Sequence, residues 1–384
     1  SLDRYYLSTM LGWTGLNGNS VPEVLAYLRS ARGSDGTRPD GTVYICKNGN
    51  VRSTAREPFF ATLISALEAQ GRKVELLEAS QKGQTGVLPV GKEDVIGAVV
   101  GSASFRWNST KSTLLPGAIA EHLTSFGAHF GTPGQTKLSE FLRYGAAGSS
   151  GTVMEPLALH QKFPNPMVHS FYAAGCSLAE AYYQSVWGPY QLLVVGDGLA
   201  QPFARFAPEA KVDRGPYRGQ VAFDVAGELW IDGRLVARGE RLEFDSREFD
   251  EGHHDLRLVT IADDDVGTRT VTRWGGDVRN SQVAGGKGVE FSGETRREPH
   301  GVLVFENRAK KGSIEVLHQG RVVGTGDSRC EVACDTFGLG PVTLVPRLVN
   351  PSGKGLRGVC LLYTSDAADD SKRVWGWGGG GGGG

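Results

Sequence analysis

The chain has 384 residues with 40% apolar and 22% charged side chains, so at roughly 150 residues per domain it is expected to fold as two or three domains. Its 41 basic and 42 acidic residues leave a formal net charge of -1, and no Lys/Arg cluster supplies the basic footprint that a nucleic-acid partner requires. No apolar run approaches the roughly 20 residues of a membrane-spanning helix, so no membrane span is expected in the visible chain.

Strand and helix signals alternate through the first half. Ser20-Val-Pro-Glu23 is a capping box that opens an amphipathic helix to about Arg32, and a strand is predicted over Thr42 to Cys46. Thr54-Ala-Arg-Glu57 reads as a second capping box, after which Phe59, Phe60, Leu63, Ile64 and Leu67 recur at helical spacing until Gly71 stops the helix. Val74 to Leu77, Val95 to Val100, Ala146 to Met154 and Leu192 to Val195 are short apolar runs of the kind buried on both faces of a parallel sheet. Gln135 to Tyr144 presents Leu138, Phe141 and Leu142 on one helical face, and Ser177-Leu-Ala-Glu180 caps a further helix. This alternation predicts an α/β layered domain over residues 1–206.

From about Pro208 helical patterns stop. Glu228 to Val236 is a hairpin with Asp232-Gly233 as its turn, and later short strands predict antiparallel β-sandwich modules at 207–283 and 284–359. Residues 360–384 are set aside: the segment from Cys360 reads as a translated sequencing adapter and the terminal glycines as empty base calls, and no structure is expected there. The sequence opens in mid-pattern at Ser1, and a missing N-terminal portion is expected.

Several motifs imitate known chemistry. Gly86 to Glu93 has the outline of a phosphate loop, but Glu93 stands where a magnesium-reaching hydroxyl is needed. Gly196-Asp-Gly198 imitates a dinucleotide turn, but Pro202 comes soon after and no helix opens. Nucleotide cofactors are therefore not expected. His253 and His254 are neighbours on a predicted strand and face opposite sides, which argues against a shared metal. Cys46 and Cys176 read as buried small apolar residues, and Cys330 and Cys334 lack zinc-site spacing, so neither cofactor nor metal is predicted. Arg52 and Arg56 offer an anion contact at a helix entry, against the plainer reading of a solvent-facing turn.

The better constellation comes from topology. In an open parallel sheet the loops beyond the carboxyl ends of the strands converge. If all four later strands run parallel, Ser102, Trp107, His122, Ser125, Glu155 and Asp197 share one binding rim. Against this stands the reading in which Glu155 and Asp197 only fix turns by accepting backbone N–H bonds.

Five segments carry a resemblance: Pro116 to Gly127, Gly145 to Pro156, Lys162-Phe-Pro164, Gly175 to Ala181, and Val195 to Phe203. Together they resemble an uncharacterised bacterial family found in species with the exosortase protein-sorting system. More distantly the order of strands is similar to gingipain-type and caspase-type cysteine peptidases. The resemblance spans most of residues 1–206 and implies a caspase-like (caspase-hemoglobinase type) fold and an exported, envelope location. It implies no activity, and where the family pattern has Gly-Asp-Pro-Leu this chain has Gly196-Asp-Gly-Leu199. Such peptidases need a His after one strand and a Cys after the next. At those positions this chain offers Ser102 to Trp107 and Thr124-Ser125, with neither residue present. Three functions compete: a non-catalytic or cryptic caspase-like domain that binds or scaffolds at the cell envelope, with envelope proteins or polysaccharide as partners; a hydrolase acting through Ser125, His122, Glu155 or Asp197; and a carbohydrate-binding surface protein using Trp230 or Trp274.

Overall fold

The computed structural model describes residues 6–79, 87–280, 289–292, 296–297, 301–308, 312–318, 320–337, 341–349, 355–357 and 360–364. The chain divides into two compact units, one of residues 1–206 with 262–268, the other of 207–261 with 269–384.

The first unit is α/β. Its elements in chain order are β1 (Ser8–Met10), α1 (Val21–Ser34), β2 (Thr42–Lys47), α2 (Val51–Thr54), α3 (Phe60–Ala69), β3 (Lys73–Glu78), β4 (Val95–Val100), β5 (Leu114–His122), α4 (Ser139–Arg143), β6 (Gly148–Thr152), α5 (Val168–Ala173), α6 (Leu178–Ser185) and β7 (Leu192–Gly196). The strands form one sheet in the order β1-β7-β6-β5-β4-β2-β3. From β3 to β6 all neighbours are parallel, and β4 is buried along its whole length, as expected of a central strand covered on both faces. Two capping boxes form as the sequence predicts, at Ser20/Glu23 and Ser177/Glu180. The third does not. Asn50 caps α2 ahead of Thr54, whose hydroxyl points back at the Val51 carbonyl, and Glu57 pairs instead with Lys47 at 2.8 Å.

One topological expectation is overturned. β7 pairs with β6 antiparallel, Gly148 opposite Gly196 and Thr152 opposite Leu192. The four later strands therefore do not share a direction, and the loop leaving β7 emerges at the edge opposite to the loops leaving β4, β5 and β6.

The second unit is all β. It comprises β8 (Gln220–Phe223), β9 (Gly227–Ile231), β10 (Arg234–Gly239), β11 (Leu242–Asp245), β12 (Glu251–Ile261), β13 (Arg269–Val278), β14 (Val289–Ser292), β15 (Arg296–Arg297), β16 (Val302–Asn307), β17 (Ser313–His318), β18 (Arg321–Gly326), β19 (Arg329–Ala333), β20 (Pro341–Val349), β21 (Gly355–Arg357) and β22 (Cys360–Thr364). Asp232 and Gly233 both have positive φ, 50° and 78°, and make the predicted β9–β10 turn. Pairing is mostly antiparallel, but β12 meets β21 in parallel, so one sheet runs through both of the expected modules. Each half keeps its own apolar core, around Leu229, Phe244 and Trp274 in one and around Leu303, Phe305 and Val316 in the other. Contrary to expectation, 360–364 forms a strand, β22, against β20, while 365–384 lie outside the described residues. Among the described residues no helix is long and apolar enough to cross a membrane.

Candidate functional site

The parallel strands β2, β4, β5 and β6 deliver four loops to their common carboxyl edge. The central loop, Thr124 to Phe126, is locked from three sides. Gln135 Oε1 accepts from Thr124 Oγ1 at 2.6 Å and from Phe126 N at 2.9 Å, Lys137 Nζ donates to Phe126 O at 2.9 Å, and Thr152 Oγ1 donates to Thr124 O at 2.9 Å. On this rim Ser125 Oγ donates to Glu155 Oε1 at 3.0 Å, and the Leu157 amide donates to the same oxygen at 2.8 Å. Two of the six expected rim residues therefore meet. Ser102 comes after β4 at the same edge, half-exposed, with its hydroxyl closing a local turn onto Ser104 O at 3.1 Å.

The other three are elsewhere. Trp107 is 1% exposed and belongs to the core, its indole donating to Ser112 O at 3.2 Å and packing edge-on against Phe141. His122 is turned inward as well, between Phe105 and Phe141, with Nε2 at 2.9 Å from the Thr136 carbonyl. That carbonyl can only accept, so Nε2 carries the proton, and Nδ1 is left as a buried acceptor without a partner. Burial pushes the imidazole down to about 4, with the charges of Arg56, Lys137 and Arg52 acting in the same direction. Asp197 comes after the reversed strand and lies at the far edge, where its amide donates to Ala147 O at 2.9 Å and its carboxylate accepts from Leu199 N at 3.0 Å. It fixes a turn.

Beneath the rim lies a buried polar group that no sequence motif announces. Glu121, 2% exposed, accepts from Ser150 N at 2.9 Å, Ser150 Oγ at 2.7 Å and the Tyr182 hydroxyl. Desolvation raises its carboxyl to about 7 despite these donors and the nearby Arg56. A carboxylate inside Ala118-Ile-Ala-Glu-His was the available signal, since an acidic residue midway along an apolar strand must find partners. Gln135 and Lys137 left no such mark: their role depends on a loop folding back over β5. Arg56 is also inside, at 2% exposure, which overturns the solvent-facing reading.

The thiols of Cys46, Cys176, Cys330 and Cys334 lie inside the protein. Cys46 and Cys176 are buried, and burial pushes the Cys46 thiol up to about 12. A cleft of about 650 Å³ opens beside Val90, Phe105, Arg106 and Thr136, and does not include Ser125 or Glu155. The motif imitations resolve similarly. Gly86 lies outside the described residues, and Lys92 is engaged by Glu75 at 2.8 Å. In the second unit His254 is buried against Asp232 at 2.7 Å while His253 contacts Asp277 at 3.4 Å, so the two rings do face apart. Trp274 is 5% exposed with its indole on the Tyr217 hydroxyl, which removes it as a sugar-stacking surface; Trp230 remains half-buried.

No family model matches the chain, and no curated protein matches it in sequence. Among solved structures, the complex of Porphyromonas gingivalis RgpB pro- and mature domains is 9% identical with a TM-score of 0.29, covering 90% of this chain and 75% of that one. SGBP-B of the Bacteroides ovatus mixed-linkage glucan utilization locus, in complex with a mixed-linkage heptasaccharide, is 15% identical with a TM-score of 0.22 over 39% of this chain; the match spans 38% of that protein's length. The Clostridium thermocellum CbhA fibronectin(III)-like modules are 9% identical with a TM-score of 0.17, covering 41% of this chain and 94% of theirs. At these scores the likenesses decide neither fold nor function.

Proposed function

We propose that the chain is a non-catalytic, caspase-like α/β domain that binds or scaffolds at the bacterial cell envelope, exported from the cytoplasm, with β modules at 207–283 and 284–359 as spacers. The observation that supports this most is the inward turn of His122. A serine or cysteine nucleophile needs a base poised near neutrality within hydrogen-bond reach. Here the strand-end imidazole faces the Thr136 carbonyl, the strand-end hydroxyl of Ser125 faces a carboxylate, and Cys46 and Cys176 are buried. The rim around Ser125 is locked by Gln135, Lys137 and Thr152, which suits a fixed recognition surface.

A serine-directed fluorophosphonate probe and a peptide library, applied to the full chain and to Ser125→Ala, test this reading. Neither labelling nor cleavage is expected from either protein. Labelling and cleavage that vanish in Ser125→Ala would establish a hydrolase instead.

A further inference from the structure

Three cations reach the carboxyl edge of the sheet without a direct ion pair among the described residues. Arg56 is 2% exposed, and its Nη2 donates to the Val100 carbonyl at 2.6 Å while Nε has no partner. Lys137 is 6% exposed, with its ammonium on the Phe126 carbonyl. Arg52, half-buried at the surface above them, reaches only neutral oxygens, Thr124 Oγ1 and Asn50 Oδ1, both at 3.4 Å. None of the three forms an ion pair with a carboxylate among the described residues.

Their convergence is a product of the sheet. Val100 lies opposite His122 in the β4–β5 register, and the chain runs from His122 into Thr124, which Arg52 touches, and Phe126, which Lys137 touches. All three charges act on the His122 ring. The acidic groups are otherwise engaged. Glu121 is tied to Ser150 and Tyr182, and Glu155 to Ser125 and the Leu157 amide. Glu121, the acid nearest to Arg56, is raised to about 7 by burial and offsets the buried guanidinium only in part, and in a low-dielectric setting the remaining positive field reaches the surface with little screening.

We propose that this edge recognises an oxyanion, the carboxylate or phosphate group of a ligand, with Arg52 making the contact and Arg56 and Lys137 supplying the positive field beneath it. The planar Arg52 fork exchanges its two long contacts for short, charge-assisted bonds to the anion. The inference deepens the binding reading given above and names the chemical class that the rim takes.

Isothermal titration of the full chain with sodium phosphate, and separately with sodium acetate, at ionic strength held constant with chloride, tests it. Saturable binding of at least one anion is expected, weakened at least about tenfold in Arg52→Gln and partly retained in Arg52→Lys. The two arms show whether phosphate or carboxylate is preferred. Arg52 lies at the surface, so both variants are expected to keep the parent's circular dichroism and melting curve. Absence of saturable binding for both anions, or binding that Arg52→Gln leaves unchanged, overturns the proposal. Peptide cleavage that depends on Ser125 would remove the non-catalytic reading while leaving this titration to stand or fall by itself.

Discussion

Glu121 sits inside an apolar strand with Ser150 and Tyr182 as donors, and its carboxyl is raised to about 7 mainly by burial. The folded chain therefore holds this proton more tightly than the unfolded chain does. Its contribution to stability is complete below the unfolded value of about 4.5 and is lost as pH rises through about 7. His122 and His169, pushed down to about 4 and about 3 by burial, work in the opposite sense: their contribution is present above the unfolded value of 6.5 and fades as pH falls through those values. Glu121→Gln keeps the shape and removes only the first of these terms. Its stability relative to the parent is expected to improve between about pH 5 and about pH 8, by on the order of 1 kcal/mol or more in urea denaturation; a constant difference across that range would mean that Glu121 does not titrate there. Ser125 is the contrasting case. It is half-exposed and bonded to an exposed carboxylate, so Ser125→Ala is expected to stay within about 0.5 kcal/mol of the parent in the same measurement.

At the scale of elements, local grammar was legible where a single residue type decides the outcome. Ser177 and Glu180 satisfy each other's backbone amides at the start of α6, and removing the hydroxyl in Ser177→Ala is expected to cost about 1 kcal/mol. Thr54 carries the same motif in the sequence but caps nothing, because Asn50 has already started α2, so Thr54→Ala is expected to lie within about 0.5 kcal/mol of the parent. A result near 1 kcal/mol for both would mean that the Thr54 box does form in solution. Strand direction was not legible. The apolar run of β7 suits either orientation, since burial on both faces erases the alternation, and the 153–191 connection is long enough for both. That is why Asp197 was expected beside Ser125 and lies at the other edge. The reversed pairing also brings Gly196, at φ 136°, so close to β6 that a Cβ would stand 2.2 Å from the Ala147 carbonyl oxygen. Gly196→Ala is accordingly expected to destabilise by roughly 2 kcal/mol or more, against a far smaller effect at Gly198, whose Cβ would meet only Ala179 at 3.7 Å.

Across the whole molecule, pairing at long range is hidden in the sequence. Ser125 and Glu155 met as expected because each comes after a parallel strand, whereas the turning of His122 depends on Thr136, fourteen residues on, in a stretch read as part of the Gln135 to Tyr144 helix although that helix begins only at Ser139. The second unit shows the same limit. Its strands were readable one by one, but nothing in the residues announced that β12 would take β21 as a parallel neighbour. Among the described residues that joint includes Glu251 opposite Leu356, Gly252 opposite Arg357, the Arg347–Asp250 ion pair at 2.8 Å, and the approach of Gly320 to the Asp232 carbonyl. Among the described residues the two apolar cores on either side share none. Most of the stabilising burial is thus private to each core, and a cavity made in one should open that half alone. Phe305→Ala, at a fully buried site, is expected to cost about 3–5 kcal/mol. Hydrogen exchange on the full chain should then speed up at amides of β16, β17 and β19, with β9, β12 and β13 keeping the parent's protection. Phe244→Ala should produce the reverse pattern, since Phe244 packs with Tyr217 and Phe223 in the other core. Equal loss of protection in both halves from either substitution would show that the shared sheet, rather than the separate cores, sets the cooperative unit.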